Sequence, residues 1–507
     1  MKHLFTRLTG LLAAALLMNG CAKKLDIVPQ GSPTLTSFWK TQTDAENADN
    51  ALYSNFGNTD GSQDEFYGRG YFWFINASDD MVTGRDNASA NLVKNFDPTF
   101  NGWGNTEVQW DQRYVVIKQA NDIINNVPAI SMNAAEKQRI VGEAYFLSGL
   151  MYFQLVSNYG NAKAGVPIAD RAHPDNIAPI PRAANAMANY TYLLSDLKQA
   201  AAMLPFFSTY TPDMYGHAHK TAAWAFIAKA YLYMGDYPDA ELYADSVINS
   251  GQHALLSNFV DVFKIANNWS SEYIWSALST AQNNGWGSIL PGVMLENKGW
   301  GIYNGWGYFT PTQELYNAYD PTDLRRSVTI LKPGDRFLFW GDSMTYNSLN
   351  SQSGYQFNKY MEPFTYAGGI HVSASGNEPT TDLNVPLIRY AEVLLIDAEA
   401  KIMQGKSGDA SINLIRKRAG LQPITNAGMS ELKLERRLEL AGEWADRHRD
   451  LVRWGDAQAA YAQPLHGASG QVVWLARTFN PNVDDVWPVP QTDIDNTDGV
   501  ITQNPGW

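Results

Sequence analysis

The stretch AWAFIAKAYLYMGDYPDAELYADSVIN, residues 223–249, decides the fold. Ala228, Tyr231, Gly235, Tyr237, Ala240 and Ala244 sit where a helix–turn–helix pair needs small residues and a tyrosine, with Gly-Asp-Tyr-Pro as the turn. That spacing fits one tetratricopeptide repeat of ~34 residues. Small residues let two antiparallel helices approach closely, and a neighbouring pair must then cover the face left open. A weaker copy reads YAEVLLIDAEAKIMQGKSGDASINLIRKRAG, residues 390–420, with Ala398, Ala400, Gly405 and Ala410 at the corresponding places.

Working outward, residues 134–159 carry a long amphipathic helix with Ile140, Ala144, Leu147, Met151 and Leu155 along one face. Further helical patterns cover 38–56, 108–126 and 185–204, the last ended by Pro205. Residues 57–107 are rich in Gly, Asn and Asp and show no sustained period. Residues 160–184 interrupt the repeats, and 251–384 form a long non-repetitive insertion with one strand expected near RFLFW, 336–340. The expected fold class is mostly α: a tetratricopeptide-like α-α superhelical scaffold with long irregular loop insertions and a few short strands.

The N-terminus has its own logic. Lys2 and Arg7 precede an apolar run, and Asn19-Gly20-Cys21 follows it. A charged region, a short apolar region and a small residue before a cut site make a secretory signal peptide. The only cysteine of the chain falls at that cut, so Cys21 is expected to be lipid-modified. The expected division is signal peptide 1–20, extended leader 22–37, helical part 38–250, loop-rich insertion 251–384 and a return to the scaffold in 385–507. With no second cysteine, no disulfide supports the exported protein. Acidic residues outnumber basic ones, 51 to 38, which argues against nucleic acid as a partner.

Signatures of catalysis nearly form and fail. QGKS at 404–407 ends like a phosphate loop, but Ala400 stands where its glycine is needed. DIDNTDG at 493–499 lacks the order of a calcium loop. His217 and His219 are one residue apart with no third ligand nearby, so no metal site is expected. No Gly-x-Ser-x-Gly elbow exists. The adjacent pairs Asp79–Asp80 and Asp484–Asp485 say little, since neighbouring acids point apart as often as together. Glu435, Glu439 and Glu443 lie four apart beside Arg436, Arg437 and Arg447, and read as a salt-bridged helix face. No catalytic residue or cofactor emerges.

Aromatic residues do stand out. KGWGIYNGWGYF at 298–309 interleaves Trp300, Tyr303 and Trp306 with glycines. FNGWGN at 100–105, with Asn101 and Trp103, and NNGWGS at 283–288, with Trp286, repeat the pattern. Glycine-flanked rings can lie flat on a surface and stack on the apolar C–H faces of sugars, while nearby polar groups bond the hydroxyls. The same rings could instead plug loops onto the scaffold.

Taken together, the chain resembles the SusD/RagB family of surface nutrient-binding lipoproteins of Bacteroidetes. The resemblance runs in order through LDIVPQGS (25–32), FWKTQTDAENADNALYSNF (38–56), GEAYFLSGLMYFQLVSNYG (142–160), the repeat at 223–249, PLIRYAEVLLIDAEA (386–400), ERRLELAGEWADRHRDLVRWGDA (435–457) and VWPVPQTDIDNTDGVITQNPGW (486–507). It departs at Ser148-Gly149, where relatives commonly carry arginine and another residue. The resemblance implies a non-enzymatic protein, lipid-anchored at the outer membrane and facing the exterior. Its implied partner is a SusC/RagA-type TonB-dependent transporter, to which it delivers oligosaccharide or, alternatively, peptide; a glycoside hydrolase is the lesser reading. Arg389, Glu392, Glu399, Arg418, Glu435, Arg436, Asp450 and Arg453 read as scaffold ion pairs. The family builds its ligand surface from variable loops. Asp80 and Arg85 of SDDMVTGRDN (78–87) lie where members often place polar contacts, so both join the aromatic candidates.

Overall fold

The computed structural model describes residues 38–56, 69–84, 88–102, 105–279, 288, 290–296, 298, 305–339, 342–361 and 381–507. Cys21, Arg85, Trp103, Trp286, Trp300 and Tyr303 lie outside the described residues. Helices of seven or more residues are α1 (Gln42–Ser54), α2 (Ala88–Asn95), α3 (Asn105–Asn126), α4 (Ala134–Tyr159), α5 (Ala186–Met203), α6 (Lys220–Met234), α7 (Tyr237–Asn249), α8 (Tyr390–Met403), α9 (Asp409–Arg418), α10 (Met429–Leu440) and α11 (Arg447–Arg453). From α3 to α9 each packs on the next, and α8 docks on both α6 and α7 although residues 250–389 intervene. The two repeat pairs read from the sequence are therefore neighbours in one superhelix.

The local causes are visible in the turns. Gly235 closes α6 with φ +77°, a conformation that suits glycine, and Asp236 caps α7 by accepting from the Asp239 N–H. Gly405 does the same between α8 and α9 at φ +71°, so the QGKS turn is structural. Gly142 and Gly149, seven apart on α4, face α5. A Cβ on Gly149 would press on the Leu197 side chain at 2.7 Å, so this glycine sets the helix–helix distance. At the departure noted above, Ser148 donates to Asp196 at 2.7 Å, and Arg171 supplies the cation by binding the same carboxylate. Helix α4 is long and apolar enough to cross a bilayer, yet nearly all of it is buried among α3, α5 and α6.

The described residues hold five two-stranded antiparallel sheets. Strand β1 (Met81–Thr83) pairs with β3 (Phe309–Pro311), and β2 (Tyr273–Ala277) with β8 (Val385–Arg389); these two sheets tie the insertion to the rest of the chain. The short β4 (Ile330–Leu331) pairs with β7 (Gln356–Phe357). Strand β5 (Arg336–Phe339), near the expected place, makes a hairpin with β6 (Asp342–Thr345), and β9 (Leu465–His466) pairs with β10 (Val472–Trp474).

Two expectations are corrected. Residues 57–107 hold α2, β1 and two short turns of 3₁₀ helix. These elements are too short for a period to show, and tertiary bonds hold them: the buried Lys94 ammonium donates to the carbonyls of Asn76, Ser78 and Met81 at 2.7–2.9 Å. The acidic stripe is the second correction. Helix α10 ends at Leu440, with extended backbone at Ala441, so Glu443 and Arg447 are not partners on one helix. Glu443 pairs with Lys359 and Arg389, whereas Arg447 pairs with Asp79. The stripe faces inward, Glu435 and Glu439 being fully buried.

Around it the charged residues expected to be scaffold form two buried sets of ion pairs. Arg389 binds Glu272, Glu439 and Glu443; Arg418 binds Glu272 and Glu439; Arg325 binds Asp323, Glu435 and Glu439. A second set joins Arg436 to Glu392 and Asp450, and Arg453 to Glu399 and Asp450. These pairs lock β8, α8, α9, α10 and α11 into register.

Candidate glycan-binding surface

The β1–β3 pair brings the polar loop at 78–84 against the aromatic segment at 305–312, despite the sequence separation. Its register is Met81 opposite Pro311, Val82 opposite Thr310 and Thr83 opposite Phe309. At one end the Gly84 N–H donates to the Tyr308 carbonyl at 2.7 Å; at the other the Thr312 N–H donates to the Asp80 carbonyl at 3.0 Å. Segment 305–308 also lies along the short helix Leu290–Met294. The N–H groups of Trp306, Gly307 and Tyr308 donate to the carbonyls of Gly292, Leu295 and Val293 at 2.7–2.9 Å.

This packing explains the glycines differently from the sequence reading. A Cβ on buried Gly305 would overlap the Leu295 carbonyl, and one on Gly84 would overlap the Gly307 carbonyl oxygen. Gly307 has φ +57°. The glycines are there because three backbone strands pass in contact. Trp306 is half-buried, packs on the core, and meets Tyr308 edge-on at 6.0 Å between ring centroids.

Asp80 does not face outward as a ligand contact would. It is 2% exposed, and its carboxylate accepts from Arg437 Nε at 2.6 Å. Asp79 accepts from Arg447 at 2.9 and 3.1 Å. Burial opposes the charge on Asp79, but Arg437 and Arg447 outweigh it and hold its carboxyl below the usual range. The loop thus uses its acids to grip α10 and α11 from beneath. Arg477 completes the grip by donating to the Ala77 and Lys94 carbonyls, both at 2.6 Å. Lys94 and Arg477 escaped the sequence reading because an isolated cation in mixed sequence carries no periodic signal. Asn101 is exposed, and its carbonyl accepts from Gln491 N–H at 3.1 Å, so it is backed by the C-terminal segment.

The carboxylate pairs considered for hydrolysis are all engaged. Besides Asp79–Asp80, Asp484 accepts from the Asn480 N–H while Asp485 accepts from Asn161.

The two histidines separate. His219 caps α6, and its Nε2 lies 2.6 Å from the Ile274 carbonyl; burial and His253 push its pKa down to about 3. His217 instead joins Asp49 and Glu143, with ligand-type atoms of all three within 4.8 Å. A metal would be held that way, but Arg139 already stands there, 3.0 Å from Asp49 Oδ2 and 3.1 Å from His217 Nδ1, and bonded to Glu143 and Glu136. Its guanidinium occupies the place between these groups that an ion would take.

Burial and the neighbouring Glu143 push Asp49 up to about 8. For His217 burial works the other way, but Glu143 and Asp49 outweigh it and raise the imidazole pKa. Both groups therefore hold protons in the folded state that the unfolded chain releases. The Asp49 penalty grows from the usual carboxylate range up to about pH 8, and the His217 contribution is lost as pH rises through its raised pKa. Stability should fall across pH 5–8. Asp49→Asn should flatten that fall by about 1–3 kcal/mol over the interval, read by chemical denaturation at several pH values. Parallel curves for both proteins would refute the assignment.

Comparison with known proteins accords with this architecture. Residues 271–507 match the family model described as "SusD family", and residues 52–232 match one described as "Starch-binding associating with outer membrane". The chain is 26% identical over 524 residues to "SusD-like protein P2" of Formosa agariphila, covering 97% of this chain and 98% of the relative. It is 25% identical to "Starch-binding protein SusD" of Bacteroides thetaiotaomicron, over 74% of each chain. A solved structure described as "Laminarin binding SusD-like protein" superposes with a TM-score of 0.74 at 26% identity, covering 92% of this chain and all of that one. With its repeat pairs, buried ion network and paired loops all in place, the chain belongs to the SusD/RagB family.

Proposed function

We propose that this protein is a non-catalytic, lipid-anchored glycan-capture protein of the outer membrane, facing the exterior and passing oligosaccharide to a SusC/RagA-type TonB-dependent transporter. The observation that carries this reading is the β1–β3 junction, which places Trp306 and the loop leading into Arg85 side by side. On the sequence pattern alone, we take Trp300, Tyr303, Trp286 and Trp103 as further rings offering apolar faces, and Asn101 and Arg85 as partners for hydroxyls. Asp80 contributes from beneath, by fixing the loop through Arg437. Relatives named as starch-binding and laminarin-binding support a glucan as the first ligand to try. Peptide capture would instead use an open strand edge with unpaired backbone groups.

Calorimetry against starch, laminarin and other polysaccharides, with product analysis alongside, tests the proposal. Saturable binding without turnover, weakened at least five-fold by Trp306→Ala, is the expected result. Binding of none of them, or release of shorter products, would overturn it. The anchor has a separate test. Acyl chains on Cys21 hold the protein through ~0.8 kcal/mol per buried CH₂. Cys21→Ala should move the protein from the membrane to the soluble fraction; a variant still held tightly would remove the lipoprotein reading.

A further inference from the structure

Away from the β1–β3 junction, a cavity of 240 Å³ opens between α1, the loop at 213–217 and β2. It shares no lining residue with the surface proposed above. We infer that this cavity is a second carbohydrate site, sized for one sugar ring; the inference rests on the glycan-binding reading. A volume below the roughly 300 Å³ at which drug-sized pockets begin suits a single ring.

The walls match that ligand chemically. Tyr53 and Tyr215, both half-buried, supply apolar faces, with the core residue Trp275 behind them. They are held in place by their own bonds: the Tyr53 hydroxyl accepts from the Ala218 N–H at 2.9 Å, and Trp275 Nε1 donates to the Gly216 carbonyl at 3.2 Å. Asn50 adds a carboxamide at the mouth. Ser276, on β2, is 1% exposed, lines the cavity, and its Oγ has no hydrogen-bond partner among the described residues. That Oγ lies behind the surface of the lining, so the groups open to a ligand are the tyrosine rings, Asn50 and Asp213. The lining contains no lysine or arginine, which argues against a phosphate, sulfate or carboxylate ligand. The one basic side chain, His217, is committed to Glu143 at 2.7 Å. Asp213 adds a carboxylate that can accept from ligand hydroxyls, and with apolar faces and no free cation the lining suits a polyol with an apolar side.

The back wall gives the cavity its shape. Arg139 and Glu143 of α4 bind Asp49 of α1 and His217 of the loop, so two of the framing elements are pinned through α4 behind it. The hollow is thus built into the scaffold, not left by loop packing.

Saturation-transfer NMR with the methyl glycosides of glucose, galactose, mannose and xylose tests the inference on the whole protein. At least one should receive saturation and shift the ring resonances of Tyr53, Tyr215 or Trp275. Ser54→Trp, on the exposed face of α1 at the cavity mouth, should block it, and Tyr215→Ala should weaken it at least ten-fold. Trp306→Ala should leave it unchanged while weakening polysaccharide. Polysaccharide binding with no response from these rings to any methyl glycoside overturns this site and spares the proposed function. Monosaccharide binding that survives Ser54→Trp in a protein with unchanged melting also overturns it. Absence of binding by both polysaccharide and methyl glycosides overturns both readings.

Discussion

Glu439→Gln will lower the unfolding free energy by about 3–5 kcal/mol, the usual result of taking one partner from a buried ion pair. The carboxylate is fully buried and meets three arginines, Arg325, Arg389 and Arg418, from the insertion, β8 and α9. A carboxamide of the same shape leaves those guanidinium groups competing for Glu272, Glu435 and Glu443 in a medium that poorly tolerates unpaired charge. Burial disfavours the Glu439 charge, but Arg418, Arg389 and Arg325 outweigh it and hold the pKa far below the carboxylate range. A depressed pKa gives stability that is present above the unfolded value and is lost only as pH falls through the folded one. The difference between wild type and variant should therefore persist unchanged from pH 7 down to about pH 5. Guanidinium denaturation at those two values measures it. A loss under about 1 kcal/mol would mean the arginines are satisfied without Glu439, and the network would not be what locks β8 onto the helices.

The sequence disclosed the scaffold because helical burial repeats every three to four residues over long windows, as in α4 and α6. Which charges are structural was implied by the family resemblance, and Arg389, Glu392 and Arg436 are indeed buried in ion pairs. The sequence did not disclose their partners: Glu272, Asp323, Arg325 and Lys359 come from the insertion, where no period marks what is buried. The acidic stripe was misread for a related reason. Spacing alone implied that Glu443 continued α10, whereas Gly442, at φ +72° just past Leu440, is the stop signal that a four-residue spacing ignores. At the candidate surface, composition singled out the aromatic–glycine loops but not the work the glycines do. Gly84 is constrained by Gly307, more than 200 residues away, and Gly305 by the Leu295 carbonyl, contacts that no helical or strand period marks. Asp80 shows the same limit, because its side chain is spoken for by Arg437 on a distant helix.

Gly305→Ala should weaken glycan binding at least ten-fold and lower stability by about 1–3 kcal/mol, the range for overpacking a filled interior. A methyl group there runs into the carbonyl oxygen, the carbonyl carbon and the Cβ of Leu295, two of which are backbone that no rotamer change can move. The segment carrying Trp306 must lift from the short helix Leu290–Met294, and β3 lifts with it. Gly84→Ala should act alike from the other strand, by pushing on the Gly307 carbonyl and on Thr310. Gly235→Ala serves as the control. It places a residue at φ +77° with nothing within 4 Å of the new Cβ, so it should cost about 1–2 kcal/mol of backbone strain and leave binding intact. Paired thermal melts and titrations of the three variants distinguish the cases. Affinity lost in Gly84→Ala and Gly305→Ala but kept in Gly235→Ala ties the ligand to the β1–β3 junction. Affinity kept in all three would place binding on a surface that this junction does not hold in position.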